Sequence, residues 1–192
     1  PAQPAELLPF TATSTTRQLL TFVPLFEEDF IRPLLEQFLA LSTRFPDLTL
    51  VFANTGPLKE WVLSFATTHG LTARVHILGL VSRAERWSLC QSSTILIAQE
   101  TQTLVEEDLL VDALQAGIPL VLVPSETKNT LTLPCVQVPT MSQLIESSVP
   151  LLENVMTRAS LISAGRAFVE TQRSWSTHLA ALNAVFTELT RV

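Results

Sequence analysis

The chain has 192 residues, enough for one domain with its own core; 47% are hydrophobic and 16% charged. Charge so far below the usual quarter or so excludes a disordered chain and favours a large buried interior. The formal net charge is −6, and Arg83 with Arg86 is the densest basic pair, which argues against nucleic acid or an anionic membrane surface as main partner. No apolar run reaches ~18 residues, so no membrane span is expected.

Residues 1–17 are rich in Pro, Ala, Thr and Ser and read as a linker or arm, leaving 18–192 as the domain. The chain begins Pro-Ala-Gln-Pro without Met, and is read as a fragment, a processed product or part of a larger polypeptide. An apolar strand is predicted over 19–24. Glu27, Glu28 and Asp29 then suit the start of a helix running to about Phe45. A buried strand over 48–53 leads into the turn Asn54-Thr55-Gly56-Pro57, with Pro placed to open the next helix. That helix should stop at His69-Gly70. A short strand over 74–78 follows. Ser82 and Glu85 then have the spacing of a capping box for a third helix.

Further strands are expected over 94–98, 118–123 and 133–138, with a helix over 104–115 that ends at Gly117. Two or three helices should fill 140–191, interrupted near Val149-Pro150 and Arg173. Strand and helix alternate at intervals that leave only crossover connections. The predicted fold is a Rossmann-like three-layer α/β/α sandwich around a parallel sheet of about six strands, with extra C-terminal helices.

Few residues invite chemistry. Cys90 and Cys135 lie in no CxxC pair and beside no suitably spaced His, and read as buried thiols. Glu106, Glu107 and Asp108 fit the first turn of a helix better than a metal site. None of His69, His76 and His178 has a nucleophile arranged near it in sequence, so no catalytic residue, metal or cofactor is expected. Trp61 and Trp87 fall on apolar helix faces and are expected in the core.

The order of motifs carries a resemblance. Residues 48–82, LTLVFANTGPLKEWVLSFATTHGLTARVHILGLVS, are followed by DALQAGIP at 112–119 and RAFVETQRSW at 166–175. Together they resemble the C-terminal, nucleotide-sugar-binding domain of retaining family-4 glycosyltransferases of the GT-B architecture, over about residues 19–190. The resemblance implies a donor site at the C-terminal edge of the sheet. It places Asp112 where a carboxylate accepts ribose hydroxyls, and Trp175 against the sheet. Asn54, Thr55 and Gly56 come near the ligand, although the same three residues also make a good strand-to-helix turn.

Against that pattern the sequence departs twice. The loop after the first strand, residues 22–30, has no glycine, no cation and three carboxylates where the family holds a diphosphate with glycine, arginine and lysine. Arg32 is out of register and belongs to the helix. Leu104 stands where the family's sugar-contacting glutamate belongs, leaving Glu100 as the nearest substitute, beside a Thr101-Gln102-Thr103 stretch without glycine. The expectation is a glycosyltransferase-like domain, degenerate at the donor site, serving as a non-catalytic scaffold or interaction module. A nucleotide sugar would bind weakly or not at all, and the expected partner is a second Rossmann-like domain or another protein. The alternative is the donor-binding half of an active nucleotide-sugar-dependent glycosyltransferase completed by an N-terminal domain. On either reading the isolated chain is expected to be inactive.

Overall fold

The computed structural model describes residues 16–99, 104–123 and 133–173, together with single positions 177, 179, 183, 186 and 187. Six strands alternate with helices: β1 (Gln18–Thr21), α1 (Glu28–Arg44), β2 (Thr49–Phe52), α2 (Lys59–Thr68), β3 (Val75–Ile77), α3 (Arg83–Ser92), β4 (Ile95–Gln99), α4 (Leu104–Ala116), β5 (Leu120–Val123) and β6 (Val136–Gln137). A short 3₁₀ turn, Met141–Gln143, then leads into α5 (Leu144–Glu153) and α6 (Val155–Gln172). Every strand pairing is parallel, and the order across the sheet is β3-β2-β1-β4-β5-β6. This is the doubly wound arrangement, with helices on both faces.

Alternation along each strand sorts the core into two halves. Leu19, Leu50, Ile95, Ile97 and Val121 face one side and pack against Leu34 and Phe38 of α1, Val62 of α2 and Leu151 of α5. Leu20, Val51, Leu96, Leu120 and Leu122 face the other and meet Cys90 of α3, Leu110 and Leu114 of α4, and Val169 of α6. Strands buried on both faces exclude charge, and none of the six carries Asp, Glu, Lys or Arg, which accounts for the low charge content. On the second face α4 and α6 come close at Gly165, where an added Cβ would lie 3.0 Å from Leu114.

Several expectations shift in detail. β1 ends at Thr21 rather than residue 24, because the chain turns there: the Val23 N–H donates back to Thr21 Oγ1 at 3.3 Å. β6 is two residues long instead of spanning 133–138, since Pro134 has no N–H for the ladder. The expected break near Val149-Pro150 is absent. The ring of Pro150 removes a donor to the carbonyl of Glu146, an exposed residue, while the burial of Leu144, Ser148, Leu151 and Leu152 on one face carries α5 on to Glu153. Arg17, the last residue assigned to the arm, is bonded into the domain. Its guanidinium forks onto Asp47 at 2.7 and 2.8 Å, donates to the Leu152 carbonyl and lies over the Phe45 ring.

The break between α5 and α6 falls at Asn154, whose Oδ1 accepts from the N–H groups of Met156 and Thr157 at 2.9 and 3.3 Å. Replacing this cap should free both donors. Asn154→Ala is expected to lower stability by about 1 kcal/mol and Asn154→Gly by only a few tenths, read from urea denaturation midpoints.

Candidate functional site

In an open parallel sheet the ligand crevice lies where the strand order reverses, outside the C-terminal ends of the strands. Here the reversal is between β1 and β4, so the loop after β1 and the start of α4 flank it. The β1–α1 loop is fastened down from within. Val23 donates its N–H to Thr21 Oγ1, Leu25 to the Thr55 carbonyl at 3.2 Å, Phe26 and Glu27 to the Pro24 carbonyl, and Glu28 to the Phe26 carbonyl. Pro24 has no N–H. A loop that cradles phosphate must present such groups outward, and these five are engaged inside the protein.

The turn after β2 is what holds that loop. The Leu58 N–H donates to the Leu25 carbonyl at 2.9 Å, Asn54 Nδ2 donates to the Phe22 carbonyl at 2.8 Å, and Asn54 Oδ1 accepts from the Thr55 N–H at 2.8 Å. Gly56 is required by close approach, since a Cβ there would stand 2.5 Å from the Leu25 carbonyl carbon and oxygen. Asn54, Thr55 and Gly56 therefore lie at the C-terminal edge as expected, and these contacts join two loops of the protein.

Asp112 lies on α4 facing α3. The capping box foreseen at Ser82 and Glu85 is formed, with Ser82 Oγ accepting from the Glu85 N–H and Glu85 Oε2 accepting from the Ser82 N–H. These bonds hold the Glu85 carboxyl below its ordinary pKa. They also set the start of α3, which places Arg83 opposite Asp112. Arg83 Nε donates to Asp112 Oδ2 at 3.0 Å and Nη2 to Oδ1 at 2.8 Å, a bidentate fork on the carboxylate. Those hydrogen bonds, and then the charge of Asp112, raise the Arg83 pKa above its usual value.

Arg83, Arg86 and Trp87 line a narrow crevice with Phe22, Cys90, Leu109, Asp112 and Ala113. It holds about 10 Å³, room for roughly one water. Burial, and secondarily Asp112, pushes the Cys90 thiol up to about 12, so it is a packing group rather than a nucleophile.

Other expected residues take these places. Glu100 and its neighbours 101–103 lie outside the described residues, as do His178, Trp175 and the side chains of Glu106 and Glu107. Arg32 is occupied by Glu28 at 2.5 Å and lies 4.6 Å over the Trp61 ring. Trp61 and Trp87, expected in the core, are half-buried at its margin, one beneath Arg32 and the other on the crevice wall. His69 caps α2, its Nδ1 2.9 Å from the Phe65 carbonyl, and burial lowers the pKa of His76 in β3. Among the described residues no cluster of His, Cys, Asp and Glu is arranged to hold a metal. Sequence reasoning missed the contact between Arg83 and Asp112. Its one signal was that Arg83 belongs to the densest basic pair, but partners 29 residues apart meet only through the fold.

Two measurements test this geometry. Gly56→Ala should destabilise the chain by about 1–3 kcal/mol in urea denaturation, because the added methyl cannot avoid the Leu25 backbone. Cys90 should resist iodoacetamide at pH 8 in the folded protein and react once denaturant is added, with alkylation followed by mass spectrometry. With a thiol near 12, little thiolate forms until the pH approaches that value.

No protein-family model and no curated protein matches the chain. Solved structures do. The C-terminal domain of a group 1 glycosyl transferase family protein, LpcC, from Francisella tularensis has a TM-score of 0.68 at 14% identity, covering 83% of this chain and 87% of that one. HepE from Anabaena, solved with UDP-glucose, gives 0.69 at 15%, covering 91% of this chain and 49% of that one. Sucrose-phosphate synthase from Thermosynechococcus elongatus gives 0.68 at 16%, covering 92% and 46%. The chain thus spans about half the length of the last two. No helix among the described residues is long and apolar enough to cross a membrane. The fold is that of the C-terminal domain of GT-B glycosyltransferases.

Proposed function

We propose that this domain does not hold a nucleotide sugar by itself and acts as a non-catalytic scaffold or interaction module built on a donor-binding fold. The observation that carries this reading is the engagement of both halves of the donor crevice with the protein itself. On one side, five N–H groups of the β1–α1 loop donate internally. On the other, both carboxylate oxygens of Asp112 accept from Arg83. A diphosphate arriving there would also meet Glu27, Glu28 and Asp29 with no glycine-rich cradle to offset the repulsion.

A second reading is the donor-binding half of an active glycosyltransferase completed by another Rossmann-like domain. Two observations support it: Asp112 lines the crevice beside α3, and HepE, of the same fold, was solved in complex with UDP-glucose. The chain's span of about half the length of that neighbour is also consistent with a second domain. In this reading Asp112 takes the ribose, Glu100 lies nearest the sugar, and Asn54, Thr55 and Gly56 border the site.

The two are separated by a thermal-shift and calorimetric panel of UDP, GDP, ADP and their sugar conjugates. The scaffold reading predicts no stabilisation and no heat. Binding at about 1 mM or tighter, abolished by Asp112→Ala, would overturn it and establish the donor site.

A further inference from the structure

Four arginines gather where α1 and α5 end. Arg17 and Arg158 donate to the same carbonyl, that of Leu152, at 3.1 and 3.3 Å. Arg17 and Arg44 both lie over the Phe45 ring, their guanidinium carbons 5.2 and 5.5 Å from its centroid. Arg74 donates to the Ser42 and Pro46 carbonyls on either side of that residue in the chain. Among the described residues the carboxylates that pair with this group are Asp47 and Glu153, which leaves two positive charges in excess on a chain of net −6. Capping accounts for cations at helix C-termini. It does not account for Val155 and Met156, 64% and 75% exposed, which follow directly on Glu153 and Asn154. Each guanidinium also keeps at least one nitrogen without a hydrogen-bond partner among the described residues. An apolar centre with a polar rim, rich in Arg and Met, is the composition of a protein-docking surface.

The complement stands at the other end of α1, whose 17 residues put about 25 Å between its first turn and its last. There Phe26, 59% exposed, is followed by Glu27, Glu28 and Asp29, and Arg32 pairs with Glu28. That end carries two negative charges in excess beside an exposed aromatic ring. The two ends of one helix cannot meet within a molecule. We propose that the arginine end docks the Phe26–Asp29 segment of a second copy, with Phe26 against Val155 and Met156 and its carboxylates on the guanidinia. The contact is heterologous, so it leaves one free end of each kind and repeats into open chains instead of closing a dimer. The like net charge of every copy makes it weak and dependent on its ion pairs. A long polyanion such as nucleic acid fits less well, since the remainder of the acidic chain would repel it. The contact goes beyond the proposed function and does not depend on whether the crevice binds a nucleotide.

Sedimentation equilibrium of the full chain across concentration and salt tests this. The mean mass should rise with concentration in low salt, without levelling at twice the monomer. It should fall back to the monomer as salt goes from about 20 mM to about 500 mM and the Debye length shrinks from about 20 Å to about 4 Å. Arg44→Glu/Met156→Glu and Phe26→Lys/Asp29→Lys should each stay monomeric in low salt. Mixing the two should restore association, because each retains the end that the other has lost. A monomer at every concentration overturns the proposal, as does a mass that levels at the dimer, survives high salt or is indifferent to either variant. Failure of the mixture to associate overturns it as well. If circular dichroism shows a double variant unfolded, Met156→Glu or Phe26→Lys alone carries the comparison. UDP-glucose bound by wild type would overturn the scaffold reading alone, the head-to-tail contact being judged on mass.

Discussion

A parallel sheet can survive in water only if both of its faces are covered, because its crossover connections lay helices on each side and leave every strand buried. This chain meets that constraint with short, mainly apolar strands that carry no charged residue, Leu19 and Leu20 being fully buried on opposite faces of β1. The rest of the architecture follows. Right-handed crossovers wind the helices to alternate sides, the winding reverses between β1 and β4, and a crevice opens at that point whether or not a ligand fills it. The location of the site is a consequence of topology. What the site can bind is decided by the side chains and loops that topology brings there.

At that crevice the protein satisfies its own polar groups. A loop next to a ligand site commonly keeps N–H groups directed outward, at the risk of leaving them unpaired when the ligand is absent. The β1–α1 loop folds inward on itself and onto the β2–α2 turn, through Leu25 and Gly56, and gains a stable ligand-free conformation. The fork of Arg83 on Asp112 has the same effect across α3 and α4. Both arrangements favour a domain that keeps its shape without a small molecule, as a scaffold requires.

The two arrangements differ in reversibility. Gly56 is in van der Waals contact with backbone, and the loop it holds could change only by rebuilding two connections at once. Arg83 reaches Asp112 through a flexible, mostly exposed side chain that water can solvate. The β1–α1 side of the crevice is therefore closed by packing, and the α3–α4 side only by an exposed ion pair.

The sequence by itself determined the layers. Apolar runs of strand length, helical spacing in α1, and the glycines at 70 and 117, both at positive φ after helices, were legible because these signals are local. So was the capping box at Ser82, whose partners lie three residues apart. The lack of cations and glycines in the β1–α1 loop was equally plain. Elements limited by a single proline were misjudged in both directions: Pro134 shortened β6, while Pro150 was carried inside α5 by the burial of its neighbours. Only the tertiary structure decided what Asp112 touches, what Gly56 approaches and what Arg17 binds. Each of those depends on a partner about thirty or more residues away, and a side chain's spacing along the chain says nothing about which distant group the fold will set against it.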